Sequence, residues 1–333
     1  MKKILLVIFS FCFIGIYGQS GFTDIAGKPG AFARLGFGAR GKAMGNAMTS
    51  VIGGNLVSYY NPALSVFQNK NSFQSSYSLL SLDRSLNFVS FTRKFEFGFT
   101  ERDGTKRDTP RSVAGLSLGL INASVEPWKG RDNQGIETEM LSPFENQFFI
   151  AFANRLSEKF SIGFGAKFYY TKLLDEVSST SFGFDIGVVY RFTDQLTFGV
   201  TVSDINSKYK WDTTKIYGQE GTSIQEKFPV LNRLGVSYKF YDPNLLVSLE
   251  IENSNANTNF VKFGSEYLII ENLFLRGGFD NLDVSNIDNP IRPSAGFSYY
   301  YSVNSLLLGV DYAFVIEPYS AYDQHIIGIN INF

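Results

Sequence analysis

Cysteine and histidine are almost missing from this sequence, which holds one cysteine, Cys12, and one histidine, His325, among 333 residues. Zinc sites built from several such side chains, and catalysis by a paired cysteine and histidine, are therefore excluded. Cys12 lies in a segment that we expect to be removed, so the mature chain would have no disulfide to form. His325 begins the last predicted strand, where we interpret it as a polar group at the end of a sheet.

Long apolar runs are also missing beyond residue 17, so we expect no membrane-spanning helix in the mature chain. The opening residues, MKKILLVIFSFCFIGIYG, combine two lysines, an apolar run and a small closing residue. This order is typical of a secretory signal peptide, and we predict one over residues 1–18. The 30 basic and 31 acidic residues nearly balance, which gives no indication of nucleic-acid binding.

No catalytic or cofactor motif occurs in the context that it needs. GFGARG, at 36–41, fits the dinucleotide-binding pattern G-x-G-x-x-G, which requires a preceding strand and an acidic residue about 20 positions later. Residues 55–65 hold no carboxylate, and the next acidic residue is Asp83. Glu250 and Glu252 share a strand face, but pairing with nearby basic residues explains them more simply than acid–base catalysis. We therefore expect a protein that is not an enzyme and that uses neither a cofactor nor a metal.

Aromatic residues, in contrast, are abundant, with 33 Phe and 18 Tyr. Many lie in segments that alternate apolar and polar residues, as in the closing HIIGININF, a pattern typical of strands with one apolar face. Fourteen such segments are present, an even number, as expected for a single-chain outer-membrane barrel. They span residues 72–80, 86–99, 113–124, 144–156, 159–173, 181–192, 195–204, 230–240, 244–253, 258–270, 272–281, 292–302, 305–317 and 325–333.

The lengths of the connections favour a barrel over the alternative, a secreted β-sandwich. Outer-membrane barrels alternate short periplasmic turns with longer external loops. Connections after even-numbered strands are short, apart from the charged segment 100–111, whereas 125–143 and 205–229 are long and polar. We predict an all-β protein, a fourteen-stranded antiparallel transmembrane β-barrel over residues 71–333. A short helical amino-terminal plug, residues 19–70, would fill its lumen, and the protein would lie in the cell outer membrane.

Charged residues inside the strands predict which face is the lumen, because a charge facing lipid at mid-membrane costs about 2–4 kcal/mol. Eight of them lie opposite their strand's apolar set: Lys167, Asp185, Arg191, Glu250, Lys262, Glu266, Arg276 and Asp311. We expect these charges to pair in a polar lumen. Arg93 instead shares the parity of apolar neighbours, which indicates either a shifted register or a wall that faces a partner. The final Phe333 is typical of the signal read by the barrel-assembly machinery.

Residues 19–70 do not alternate and instead show helical spacing. One apolar helical face is formed by Ala43, Met44, Ala47, Met48 and Val51, and Gly53 with Gly54 would end that helix. Asn61 followed by Pro62 predicts the cap and first position of a second short helix. Arg40 is the candidate functional residue of this plug, either a latch to lumenal carboxylates or a solvated charge.

The block GFGARGKAMGNAMTSV, followed by SYYNPAL, resembles the opening of the PorV/PorQ family of Bacteroidetes outer-membrane proteins. The matching residues are Gly38, Ala39, Arg40, Met44, Gly45, Asn61, Pro62 and Ala63, with Tyr60 where the family often has tryptophan or glutamine. The resemblance implies a FadL-like fourteen-stranded barrel with an amino-terminal hatch, in which these residues have a structural or gating role.

Two functions follow from the resemblance. The first is a type IX secretion accessory or cargo shuttle, whose partners would be outer-membrane lipid, the secretion translocon and secreted cargo with a carboxy-terminal signal. The second is a FadL-like channel for hydrophobic small molecules, which needs a continuous apolar pocket from the external loops to the plug. Because we expect a charged lumen, the sequence favours the secretion role. Nucleic acid is not an expected partner.

Overall fold

The computed structural model describes residues 23–99, 108–174 and 176–333. The predicted signal peptide and most of the charged segment 100–111 lie outside these residues. Within them, fourteen strands pair into one closed antiparallel barrel. The barrel strands are β1 (Ser72–Leu80), β2 (Arg84–Phe97), β3 (Ser112–Val125), β6 (Phe144–Arg155), β7 (Phe160–Lys172), β8 (Ser178–Arg191), β9 (Leu196–Ile205), β12 (Leu231–Phe240), β13 (Leu245–Ser254), β14 (Thr258–Ile270), β15 (Leu273–Asp283), β16 (Arg292–Val303), β17 (Leu306–Val315) and β18 (Gln324–Asn332). Two separate hairpins are formed by β4 (Trp128–Arg131) with β5 (Glu137–Leu141), and by β10 (Lys208–Asp212) with β11 (Ser223–Lys227).

The barrel closes because β1 pairs with β18 along its length, from Ser72 opposite Asn332 to Leu79 opposite His325. Each remaining barrel strand pairs with the next one in chain order. The predicted fourteen-stranded antiparallel barrel is therefore confirmed, and most strand ends differ from the prediction by one or two residues. The two hairpins were not predicted, because each lies inside a polar loop whose alternation is short.

Short and long connections lie at opposite ends of the barrel. The turn end, where β1 begins and β18 ends, carries the short connections 156–159, 192–195, 241–244, 271–272 and 304–305. The loop end carries the long connections 126–143, 206–230, 284–291 and 316–323. The connection between β2 and β3 is the long exception at the turn end, as the sequence indicates.

The outer face of the barrel is apolar. Exposed large apolar side chains on different strands include Phe148, Ile162, Phe182, Val200, Leu249, Phe297 and Ile329. Arg93 also faces outward, and its guanidinium lies 4.9 Å from the centre of the Phe95 ring. The pairing of β2 with β3 runs through Arg93 opposite Leu116 without a shift, so a slipped register is wrong. Arg93 lies beyond the start of β1, at the turn-end rim, where a charge on the outer face costs little.

Helices are few and short. The helix α1 (Gly38–Ala43) and two 3-10 helices, Ala31–Arg34 and Pro62–Phe67, lie in the amino-terminal segment. The helix α2 (Thr214–Tyr217) and the 3-10 helix Gly218–Glu220 lie in the loop between β10 and β11. Within the described ranges, none of the helices is long and apolar enough to span a membrane.

The helical face predicted over Ala43–Val51 is wrong in its position. The helix α1 ends at Ala43, because Gly45 and Asn46 follow with φ of 55° and 58° in the left-handed region. The apolar residues of that face are nevertheless all buried. These buried residues therefore lie in a series of tight turns, and their near-helical spacing does not reflect a helix.

Candidate functional site

The amino-terminal segment, residues 23–70 and called the plug here, lies inside the barrel. Inward-facing glycines mark its contacts, and a Cβ added to any of them would overlap plug atoms. These contacts are Gly115 with Ser65, Gly163 with Ala63, Gly187 with Asn61, Gly199 with Thr49, Gly264 with Met44 and Gly278 with Gly45. Because glycine lets two backbones approach closely, the plug is seated directly on the barrel wall.

The plug residues singled out in the sequence have packing roles. Gly38 begins α1 with φ of 67°, a conformation that favours glycine. Ala39 and Ala43 pack against Ala313, Val315 and Ile326 on β17 and β18. Pro62 and Ala63 rest on Gly163, and the Asn61 side chain accepts a hydrogen bond from the Ala63 amide, 2.9 Å away. Asn61 is therefore the predicted cap of the 3-10 helix.

Tyr60 connects the later part of the plug to the segment around Phe37 and Asn46. The sequence showed only that a tyrosine stands where the PorV/PorQ family often has tryptophan or glutamine. The Tyr60 hydroxyl lies 2.9 Å from both the amide nitrogen and the carbonyl oxygen of Phe37, and 2.8 Å from Oδ1 of Asn46. Burial raises the pKa of the Tyr60 hydroxyl well above its usual value of 10.0, so it remains a donor. A side chain at Gly41 would meet this hydroxyl, which explains one glycine of GFGARG.

Arg40 is paired rather than solvated. Its guanidinium makes two hydrogen bonds to the Glu266 carboxylate, of 2.8 and 2.9 Å, and its side chain is 6% exposed. Nη1 of Arg40 also donates to the carbonyls of Gly53 and Asn55. Arg276 reaches the same carboxylate at 2.6 Å, so two arginines share Glu266. Arg40 thus ties the plug to β14; its role in opening stays a prediction.

Seven of the eight predicted lumenal charges lie inside the barrel, in buried clusters. Lys167 pairs with Asp185 and Asp204, and Lys262 pairs with Glu250 and Glu252. Asp311 accepts hydrogen bonds from Ser298 and Asn330. The exception is Arg191, which has the inward parity but lies at the turn-end rim, half-exposed and near Asp194.

Lys42 is a buried plug lysine with no ion-pair partner among the described residues. Its ammonium donates a 2.6 Å hydrogen bond to the carbonyl of Leu35, and the residue is 4% exposed. Burial, reinforced by the nearby charge of Arg292, lowers the pKa of Lys42 to about 8. This amine therefore titrates close to physiological pH.

One sector of the lumen is apolar, so the expectation of a uniformly polar and charged lumen is wrong. The inward-facing side chains of β2, β3 and β6 in this sector are Leu86, Phe88, Ile121 and Phe149. They form a buried cluster, called the aromatic cluster here, with plug residues that include Phe32, Phe37 and Tyr59. The charged clusters lie mainly on β12–β17, across the barrel.

The aromatic cluster extends to the loop end through the β10–β11 hairpin. The backbone amide of Lys208 donates to the hydroxyl of Ser181, and that of Lys210 donates to the hydroxyl of Ser179. These two hydrogen bonds hold the hairpin against β8. Behind the hairpin, the rings of Tyr209 and Phe228 lie 4.8 Å apart, and Phe228 is 4.9 Å from Tyr169.

On the plug side, the ring of Tyr169 lies 6.4 Å from Phe32. Aromatic rings of β7, the hairpin segment and the plug therefore lie next to one another. An apolar column runs from the loop-end mouth to the plug.

A cavity of about 500 Å³ opens at the turn end, beneath the plug. Its floor holds Arg40, Glu266 and Arg276, and its sides carry apolar residues such as Leu246 and Phe274. Ile52 of the plug and Leu246 of the wall line this cavity and also pack against the aromatic cluster. Across the described part of the chain, no group of three or more His, Cys, Asp or Glu side chains could hold a metal ion.

Comparisons with solved structures show barrels of the same fold. The chain is similar to the Pseudomonas putida toluene transporter TodX, with a TM-score of 0.58 and 14% identity over 89% of this chain and 96% of that one. It is similar to the CymD monoaromatic hydrocarbon channel, with a TM-score of 0.58 and 15% identity over 90% and 98%. A Pseudomonas aeruginosa FadL homologue matches with a TM-score of 0.53 and 11% identity over 89% and 98%.

No protein-family model matches the chain, and no curated protein matches it. The structural neighbours are transporters or channels, and none of those named is an enzyme. They support the FadL-like part of the sequence interpretation. They give no support to the PorV/PorQ family specifically or to a role in type IX secretion.

Proposed function

We propose that this protein is an outer-membrane channel of the FadL type that admits hydrophobic small molecules at its loop end. The observation that carries the proposal is the aromatic cluster, an apolar column from the loop-end mouth to the plug. Sites for such molecules are lined mainly by apolar and aromatic side chains, and the cluster has this composition. The channel function replaces the secretion role as the preferred interpretation.

The fold supports this assignment in two ways. An apolar outer face suits insertion into the outer membrane, and the proposed export depends on the predicted signal peptide. The similar structures include a toluene transporter and a monoaromatic hydrocarbon channel, which take small apolar ligands. A small apolar ligand would gain free energy by leaving water for the apolar column of this chain.

The hairpin and the plug would both have to move aside for an entering ligand. The Phe228 ring of the hairpin rests on Gly30 of the plug, so the hairpin and the plug hold one another closed. A ligand that replaces these ring contacts with its own can occupy the column without exposing apolar surface to water. Below the column, the glycine contacts keep the plug on the wall.

Uptake by whole cells tests the proposal. Labelled toluene would be supplied to cells that lack channels of this kind and that express the protein, Ile121→Asn or Ile326→Asn. Both isoleucines are buried and face inward, but Ile121 lies in the aromatic cluster, whereas Ile326 packs on α1 from β18, three strands away.

We expect the wild type to raise initial uptake above the empty vector. Ile121→Asn should lower that gain several-fold, because it replaces an apolar side chain of the column with an amide that a hydrocarbon cannot hydrogen-bond. Ile326→Asn should keep most of the gain. Uptake equal to the vector, from protein shown to be folded, would refute the channel.

A further inference from the structure

Gln147 carries a fully buried amide that faces the aromatic cluster and has no hydrogen-bond partner in the part of the chain that the structure describes. Its side chain lies on β6 and points inward, and the residue is 0% exposed. Neither Nε2 nor Oε1 has a hydrogen-bond partner among the described residues. Buried amides are nearly always hydrogen-bonded, so one with both atoms unpaired requires an explanation.

The neighbours of Gln147 belong to the proposed route. On the strands beside it, Gln147 is opposite Ile121 of β3 and Tyr169 of β7. Along its own strand, the next inward side chain towards the plug is Phe149, and the next towards the mouth is Glu145. A ligand in the aromatic cluster would therefore meet this amide with its apolar surface against Phe149 and Tyr169.

The charge around Gln147 disfavours an anionic ligand. The Tyr209 hydroxyl donates to Glu145 at the mouth, and the Tyr169 hydroxyl donates to Asp204 at 2.6 Å. The charged groups that interact in this region are four carboxylates, of Glu145, Asp185, Asp204 and Glu252, and three cations, of Arg34, Lys167 and Arg233. A negative ligand would face this excess of carboxylates, whereas a neutral one would not.

We propose that Gln147 is a specificity-determining residue that selects neutral, oxygen-bearing aromatic molecules, such as phenols, over bare hydrocarbons. The proposal rests on the proposed function, because the ligand reaches Gln147 through the aromatic cluster. A phenolic hydroxyl both donates and accepts, so it completes Oε1 and Nε2 of one amide. A hydrocarbon of the same shape leaves both amide atoms unpaired, and the site discriminates against it for that reason.

Binding of three matched probes tests the selection. Toluene, p-cresol and 4-methylbenzoate share a benzene ring and a methyl group. Toluene has no oxygen, p-cresol has a neutral hydroxyl and 4-methylbenzoate has a charged carboxylate. Labelled probes would be dialysed to equilibrium against the full-length protein in amphipol. The variants are Gln147→Leu and a control, Gln324→Leu. Gln324 is a buried inward glutamine on β18, four strands from β6, and its amide donates to Glu317.

We expect Gln147→Leu to weaken p-cresol binding about tenfold and to leave toluene binding within about twofold. Gln324→Leu should bind all three probes as the wild type does, and 4-methylbenzoate should bind more weakly than p-cresol. The heat-dependent shift of barrel migration on gels would show that each variant is folded. Should Gln147→Leu fail to fold, Gln147→Met keeps the shape of the side chain and carries the same expectation.

Three results would overturn the proposal, and they separate it from the function on which it rests. If toluene binds and Gln147→Leu leaves the ratio of p-cresol to toluene affinity unchanged, the specificity role is wrong and the channel stands. If 4-methylbenzoate binds more tightly than p-cresol, the selection for neutral ligands is wrong. If neither toluene nor p-cresol binds the folded wild type, the proposed function fails together with this inference.

Discussion

At the scale of single residues, Arg40 links the plug to the wall through a charged pair. The residue type and its place in the plug block were visible in the sequence, which left open whether it is paired. The structure shows two hydrogen bonds to Glu266 and two to plug carbonyls. Its partner was not predictable, because 226 residues separate Arg40 from Glu266 in the chain.

Replacing Arg40 with methionine should loosen the plug. Glu266 would keep Arg276, but the carbonyls of Gly53 and Asn55 would lose their donor. We expect a loss of about 2–4 kcal/mol in the stability of the seated plug, at the low end for a broken buried pair. Hydrogen exchange should then accelerate across residues 41–48. Lys94→Met, which breaks a more exposed pair with Glu96, should leave that exchange unchanged.

Lys42 gives the protein a pH dependence with a defined sign. The folded pKa of about 8 lies below the usual 10.5, so the folded state binds fewer protons than the unfolded state between these values. Stability from this group therefore rises as pH increases from about 8 to about 10.5. Denaturant unfolding of wild type and Lys42→Met should show a steeper rise for the wild type over that window. Parallel curves would show that Lys42 does not titrate in the folded state.

At the scale of elements, the strands and the presence of a plug were predictable, but the turns within the plug were not. Alternation sets strand positions because one face of each barrel strand is apolar, and this repeats every two residues. Plug residues such as Met44 and Met48 are buried on all sides, so their spacing carries no information about turns. The left-handed conformations of Gly45 and Asn46, which end α1, depend on contacts with β15 and Tyr60.

Two adjacent glycines of β15 provide a matched test of plug seating. A Cβ at Gly278 would lie 2.6 Å from the amide nitrogen of Gly45, whereas a Cβ at Gly277 meets nothing closer than 3.9 Å. We expect Gly278→Ala to destabilise the seated plug by about 1–3 kcal/mol and Gly277→Ala to have little effect. Limited proteolysis of the plug in intact barrels would measure both. Equal protection of the two variants would mean that the wall does not hold the plug there.

At the scale of the whole molecule, the sequence predicted the barrel but not the division of its lumen into two sectors. Charged residues such as Glu250 and Lys262 stand out against apolar neighbours, so the charged sector was visible. The strand β2 carries apolar residues on both faces, with Leu86 and Phe88 on the inner face against the plug and Val89 and Phe91 on the outer face. A strand of this kind looks irregular in a search for alternation, and that irregularity was the available signal.

The proposed channel depends on the aromatic cluster, and the position of a bound ligand tests this proposal most directly. Crystals of the protein soaked with 4-bromotoluene would locate the bromine by its anomalous scattering. The channel predicts a bromine site inside the barrel, among Phe149, Tyr169 and Tyr209. Bromine found only on the outer face of the barrel or in the turn-end cavity, with the cluster unchanged, would contradict it.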